Sequence, residues 1–120
     1  MRKIILFIVA IFCLNRINSQ VKLADILYDN FEYKTAASIY SDENDLTLSQ
    51  LEKHAFCYFY TNDFQKSISI FKKILDQNPN DFSIKFHYGI ALKSTSRFKA
   101  AKKIFNELLS LDSTKKRLQF

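Results

Sequence analysis

From Leu51 to Ser113 the chain runs twice through one arrangement of apolar, small and polar positions. Ala55, Tyr58, Phe64, Ser67, Phe71 and Pro79 are each followed 34 residues later by Gly89, Leu92, Phe98, Ala101, Phe105 and Ser113. A fixed period of this length, with apolar residues at helical spacing inside it, predicts stacked helix–turn–helix units. The spacing places helices at about 47–61, 64–77, 82–94 and 97–110. Upstream, Leu23, Ala24, Leu27 and Tyr28 predict a helix at about 21–30, and Tyr33, Ala36, Ile39 and Tyr40 another at about 33–41. Ala36 and Tyr40 precede Ser67 and Phe71 by 31 residues, which reads as a first unit with a shorter exit connection.

The breaks fit this division. Ser41 to Asp45 is an acidic run of capping residues, Thr61-Asn62-Asp63 is a tight turn with Asp63 as a cap, and Asn78-Pro79-Asn80-Asp81 interrupts the chain most clearly. Leu111 to Thr114 is expected to end the sixth helix and leave a short basic tail, 114–120. One glycine and one proline in 120 residues are too few for a strand-and-turn architecture, so the fold class is all-α.

Small residues supply the packing logic. Two helices approach to about 8–10 Å only where one side chain at the crossing is small. Ala55 and Gly89 take that place on first helices, and Ala36, Ser67 and Ala101 on second helices. Tyr40, Phe71 and Phe105 are then expected to fill the space between neighbouring units.

The first nineteen residues read differently. Met1-Arg2-Lys3, the apolar run Ile4 to Leu14 and the polar stretch ending at Ser19 are the three parts of a secretory signal peptide. Cleavage is expected after Ser19, leaving the repeat domain at 20–113, with an uncleaved N-terminal anchor as the alternative. The run is short for a membrane span of about 20 residues. Cys13 follows Phe12, not the small residue that lipid attachment wants, and is read as part of the run. Cys57 is then the lone mature cysteine, expected to be a buried inert thiol, with an intermolecular bridge or reactive thiol as the alternative.

Charge is polarised along the chain. Residues 20–63 hold three basic and eight acidic side chains, while 64–120 hold twelve and four. Solvated helix faces explain this economically; an anionic partner or end-to-end docking would use it.

With Gly or Ala, then Tyr three residues on, then a small residue, an aromatic four later and an exit Pro, the chain resembles the tetratricopeptide repeat. Residues 48–81 carry Ala55, Tyr58, Phe71 and Pro79, with Ser67 for the usual Ala; residues 82–113 carry Gly89, Ala101 and Phe105, with Leu92 and Ser113 for Tyr and Pro. Residues 21–44 match mainly through Ala24, Ala36 and Tyr40. The resemblance implies a right-handed α-solenoid of about three helix pairs whose first helices line a concave, partner-binding groove. In that register Glu52, Phe56, Phe59 and Tyr60 face the groove from the middle pair, and Phe86, Ile90 and Lys93 from the last. Packing of Phe56 and Phe59 inside the solenoid is the alternative. The family's carboxylate clamp is not visible, since Glu52 and Phe56 stand at two of its places. A narrower likeness, in Leu23 to Tyr28 and Phe31 to Ala37 after the leader, is to the N-terminal repeat region of exported outer-membrane protein A family proteins of Bacteroidetes-type bacteria. The later domains of those proteins are absent, so the chain reads as a stand-alone module or a shortened relative.

Catalytic chemistry finds little support. His54 and His87 lie on corresponding helices without a metal-ligand pattern around them, and one glycine cannot build a phosphate-cradling loop. The expectation is no catalytic, metal or cofactor site, with a small periplasmic enzyme using His54 or His87 as the unlike alternative. The basic run of Arg97, Lys99, Lys102, Lys103 and Lys115 to Arg117 suits nucleic acid by composition, but an export signal takes the chain away from it. Anionic lipid or cell-wall polymer suits the envelope better. The expected function is an exported adaptor in the periplasm or at the outer membrane of a Gram-negative bacterium, binding a peptide, helix or envelope subunit. The second expectation is an assembly subunit that docks or self-associates through an uncapped sixth helix.

Overall fold

A computed structural model describes residues 1–118, and every regular element among them is a helix: α1 Arg2–Asp29, α2 Tyr33–Ser41, α3 Leu48–Tyr60, α4 Phe64–Gln77, α5 Phe82–Ser94 and α6 Phe98–Leu118. Consecutive helices pack on one another, and α1 also touches α3, which is the neighbour-to-neighbour pattern of an all-α solenoid. The molecule measures 66 × 33 × 25 Å.

Side-chain size sets the spacing. Ala24, Ala36, Ala55 and Ala101 are buried at the crossings, and Tyr40 and Phe71 are fully buried beside them. Three apolar clusters run along the stack, each joining one pair to a helix of its neighbour: Ala36, Tyr40 and Cys57; Ala55, Phe71, Ile74 and Ile84; Ile68, Leu92 and Ala101. Ser67 is accommodated in this core because its hydroxyl donates to the Phe64 carbonyl at 2.9 Å. Tyr58 and Phe105 are half-buried. Pro79 does not pack: it is exposed in the α4–α5 connection, where its carbonyl accepts from Lys85 Nζ at 3.4 Å. A proline there ends α4 by removing a donor and needs no neighbour to do so.

Every intra-pair turn has the same geometry. Phe31, Asn62 and Ser96 adopt φ of 64°, 62° and 62°. Around them Glu32, Asp63 and Arg97 N–H groups donate back to Leu27, Tyr58 and Leu92, and Phe31, Asn62 and Ser96 to Tyr28, Phe59 and Lys93. This is the Schellman closure three times over. Asp63 caps α4 and Asp81 caps α5, at 3.4 and 3.1 Å. The cap of α3 is Thr47, in a reciprocal box with Gln50, and not the acidic run before it.

Two helices outrun the spacing. The first begins at Arg2, so the leader and the first repeat helix form one rod of about 42 Å. By length and composition this rod is long and apolar enough to cross a membrane, a property that signal sequences share. The sixth continues past Leu111 to Thr114 as far as Leu118, where a tail was expected; residues 119–120 lie outside the described ones. No glycine or proline stands between Leu111 and Leu118, and Ser113 bonds back to the Leu109 carbonyl at 2.9 Å, so nothing stops the helix there.

Candidate functional site

The first helices of the second and third pairs, α3 and α5, bring the expected groove residues to one aromatic surface. Phe56 stacks on Tyr60 with centroids 5.6 Å apart and meets His87 edge-on at 4.9 Å; Phe86 meets His87 at 5.6 Å. Tyr60 continues the run to Tyr33 at 4.9 Å, and Tyr33 to Tyr28 at 5.4 Å. Tyr60 and Phe86 are exposed, while Phe56 and His87 are half-buried beneath them.

Phe59 has a divided role. It lies against Phe64 at 5.5 Å, His87 at 5.2 Å and Phe71 at 6.1 Å, so much of its ring serves the interior. Phe56 likewise touches Phe71, at 5.4 Å, from the groove side. Ile90 is half-buried and Lys93 exposed, and both keep the register on α5. Glu52 is half-buried, and desolvation with the nearby Asp81 carboxylate raises its pKa above the ordinary glutamate value.

His87, weighed in the sequence only for metal binding or catalysis and expected to do neither, is the ring that joins Phe56 to Phe86. Its Nδ1 lies 2.7 Å from the Ser83 carbonyl and must donate to it, which fixes the ring on the helix. The signal was present in the adjacency of Phe86 and His87 on α5, which sets an aromatic beside the histidine.

His54 sits between the first and second pairs. Its Nε2 is 3.2 Å from Ser41 Oγ, which is also 2.8 Å from the Ala37 carbonyl and 2.9 Å from Tyr58 Oη. A serine has one proton and a carbonyl can only accept it. Ser41 therefore donates to Ala37 and accepts from His54 and Tyr58, so His54 is no base toward Ser41 and the pair is a structural tie between pairs. Among the described residues no group of three His, Cys, Asp or Glu side chains is placed to hold a metal ion. Cys57 is fully buried, and desolvation pushes its thiol up to about 12, which suppresses the thiolate. Tyr40 donates to the Asp25 carboxylate, which also lies 3.5 Å from Lys53 Nζ; burial and then this bond hold the phenol well above its ordinary pKa.

Burial, and then the Lys73 charge, push His54 down to about 4. An unfolded chain takes up the same proton near 6.5. Between these values the unfolded state binds more protons, so the stability His54 contributes is complete above 6.5 and drains away as pH falls toward 4. Urea unfolding followed by circular dichroism should show a loss of about 1 kcal/mol between about pH 7 and about pH 5, below the full linkage value because the ring is half-exposed. His54→Gln should flatten that slope.

Two stretches match tetratricopeptide repeat families, residues 51–81 and residues 82–115. These are the α3–α4 and α5–α6 pairs. No curated protein matches the chain.

Proposed function

The chain belongs to the tetratricopeptide repeat family, and from that premise we propose that it is an exported adaptor holding a protein partner across α3 and α5. Repeats of this family build protein-interaction scaffolds, and such proteins are generally not enzymes. The observation that carries the reading is the pair of exposed rings, Tyr60 and Phe86, backed by the half-buried Phe56 and His87. Aromatics with a rigid backing lose little side-chain entropy when a partner covers them, and that is the character of an interface hot spot. A helix or an extended peptide suits such a strip. Glu52 and Lys93 at its edges supply polar contacts of opposite sign.

Export rests on the leader. Its exposed apolar residues from Ile4 to Leu14 make no core, which suits a segment whose environment is a membrane or an export channel. The likeness of Leu23 to Ala37 to envelope proteins supports the periplasm or the outer membrane as the destination.

The test is capture from envelope extract with the wild-type chain and with Tyr60→Ala/Phe86→Ala. Both rings are exposed, so the helical signal and unfolding midpoint should hardly move, while retention of a specific protein should fall about tenfold or more. Equal retention by both chains would sink the groove reading. Mass spectrometry of the chain recovered from the same fraction reads the leader: a species beginning at Gln20 supports cleavage after Ser19.

A further inference from the structure

Both ends of the solenoid expose positions that its interior covers. On α1, Ile26 is 57% exposed and Leu23 48%. Their counterparts in the repeat register are Cys57 and Ala91, both fully buried, and His54 and Tyr88, both half-buried. On α6, Leu109 is 66% exposed and Phe98 63%, whereas their counterparts Leu75 and Phe64 are half-buried. Phe105 is half-buried where Tyr40 and Phe71 are fully buried.

Inside the stack these positions are covered by each other. The second helix of one pair lies on the first helix of the next, as Tyr40 packs with Cys57 and Ile68 with Ala91 and Leu92. The open faces of α1 and α6 are therefore the two halves of one interface type, separated to opposite ends of the molecule. They also differ in charge. Residues 20–63, which hold the repeat part of α1, carry eight acidic and three basic residues, and residues 64–120, which hold α6, twelve basic and four acidic. On the α6 face Lys102 stands exposed at the position where Ile68 and Ala37 are buried, with Lys99 and Lys103 beside it. Asp29, one helical turn from Ile26 on α1, is exposed and of the opposite sign.

We propose that a second copy of this chain occupies the α6 face, its α1 lying on α6 as α3 lies on α2 and α5 on α4. Pairing α6 with α6 would set Lys99, Lys102 and Lys103 against themselves, which like-charge repulsion disfavours. The head-to-tail arrangement joins unlike faces, so each added copy leaves one new face open at each end. It uses a surface other than the Tyr60–Phe86 strip, and the two can be occupied together.

The experiment uses the full chain expressed in cells, with Cys13 replaced by serine and the buried Cys57 retained. Ile26→Cys and Lys102→Cys, at the positions that Ala91 and Ile68 hold where they pack inside the stack, are introduced together and singly, and a short bismaleimide is added before non-reducing electrophoresis. The double variant should give a ladder of dimer, trimer and higher species. Each single variant should remain monomeric, and the two single variants expressed together should give dimers and nothing larger. Lys99→Glu in the double variant should reduce the cross-linked fraction about fivefold, the factor that about 1 kcal/mol of lost complementarity produces. Dimers from either single variant would overturn the proposal in favour of a symmetric contact. An uncross-linked double variant, or an adduct of another mass, would overturn it by showing the face bare or covered by a different protein.

Discussion

Phe71→Ala is expected to remove about 3–5 kcal/mol of stability, enough to leave much of the chain unfolded at room temperature. Phe71 is fully buried, edge-on to Phe56 at 5.4 Å and Phe59 at 6.1 Å, in a cluster with residues of α3, α4 and α5. Truncating it empties a site that no single side chain can refill, because rings from two helices converge there and relaxing one opens a gap at the other. The lost contacts also belong to two pairs at once, so the damage spreads along the stack. Phe105 holds the same register position at the open end and is half-buried. Phe105→Ala should cost about 1–2 kcal/mol at low protein concentration. Chemical unfolding of both variants by circular dichroism checks the pair, and equal losses would mean that Phe105 is covered in solution.

Gly89→Leu should be the next most damaging change, at about 3 kcal/mol. A Cβ built on Gly89 would sit 2.9 Å from Phe105 Cε1, 3.0 Å from Cζ and 3.3 Å from Ile104 Cγ2. Leucine adds its branch beyond that point, and α5 and α6 must move apart to admit it. Alanine is a different case. Its single methyl asks a half-buried ring at the molecule's edge to shift by a few tenths of an ångström, and helix propensity returns about 1 kcal/mol. Gly89→Ala should therefore lie within about 1 kcal/mol of the wild type, and thermal melting of the two variants separates a limit on space from a need for flexibility.

The helices that the spacing placed well are those whose ends are written in residue chemistry. Asp63 and Asp81 mark their starts, Pro79 forbids continuation, and the recurrence of Ala55 as Gly89 locates the crossings. The residues that went unread carry weaker marks. Thr47 was hidden behind a more conspicuous acidic run, although its box with Gln50 follows the usual three-residue interval. Of the three left-handed turn residues only Asn62 is a type that favours the conformation; Phe31 and Ser96 adopt it because the backbone bonds around them demand it. The ends of α1 and α6 were misplaced for a shared reason. Capping residue types permit a helix to end but do not force it, and no glycine or proline lies between Leu14 and Val21 or between Leu111 and Leu118. In the groove, the repeat register carried Tyr60 and Phe86 to the surface, but the partial withdrawal of Phe56 and Phe59 depends on ring contacts across three helices, which spacing along one chain does not encode.

Because each helix packs chiefly on its immediate neighbours in the chain, contact order is low. Almost no stabilising contact has to wait for a distant segment to be made. A chain of this kind, delivered end first in extended form through a narrow passage, can assemble as it emerges. The turn at Phe31 closes before α3 arrives, the turn at Asn62 before α5, and each finished pair is the template on which the next one condenses.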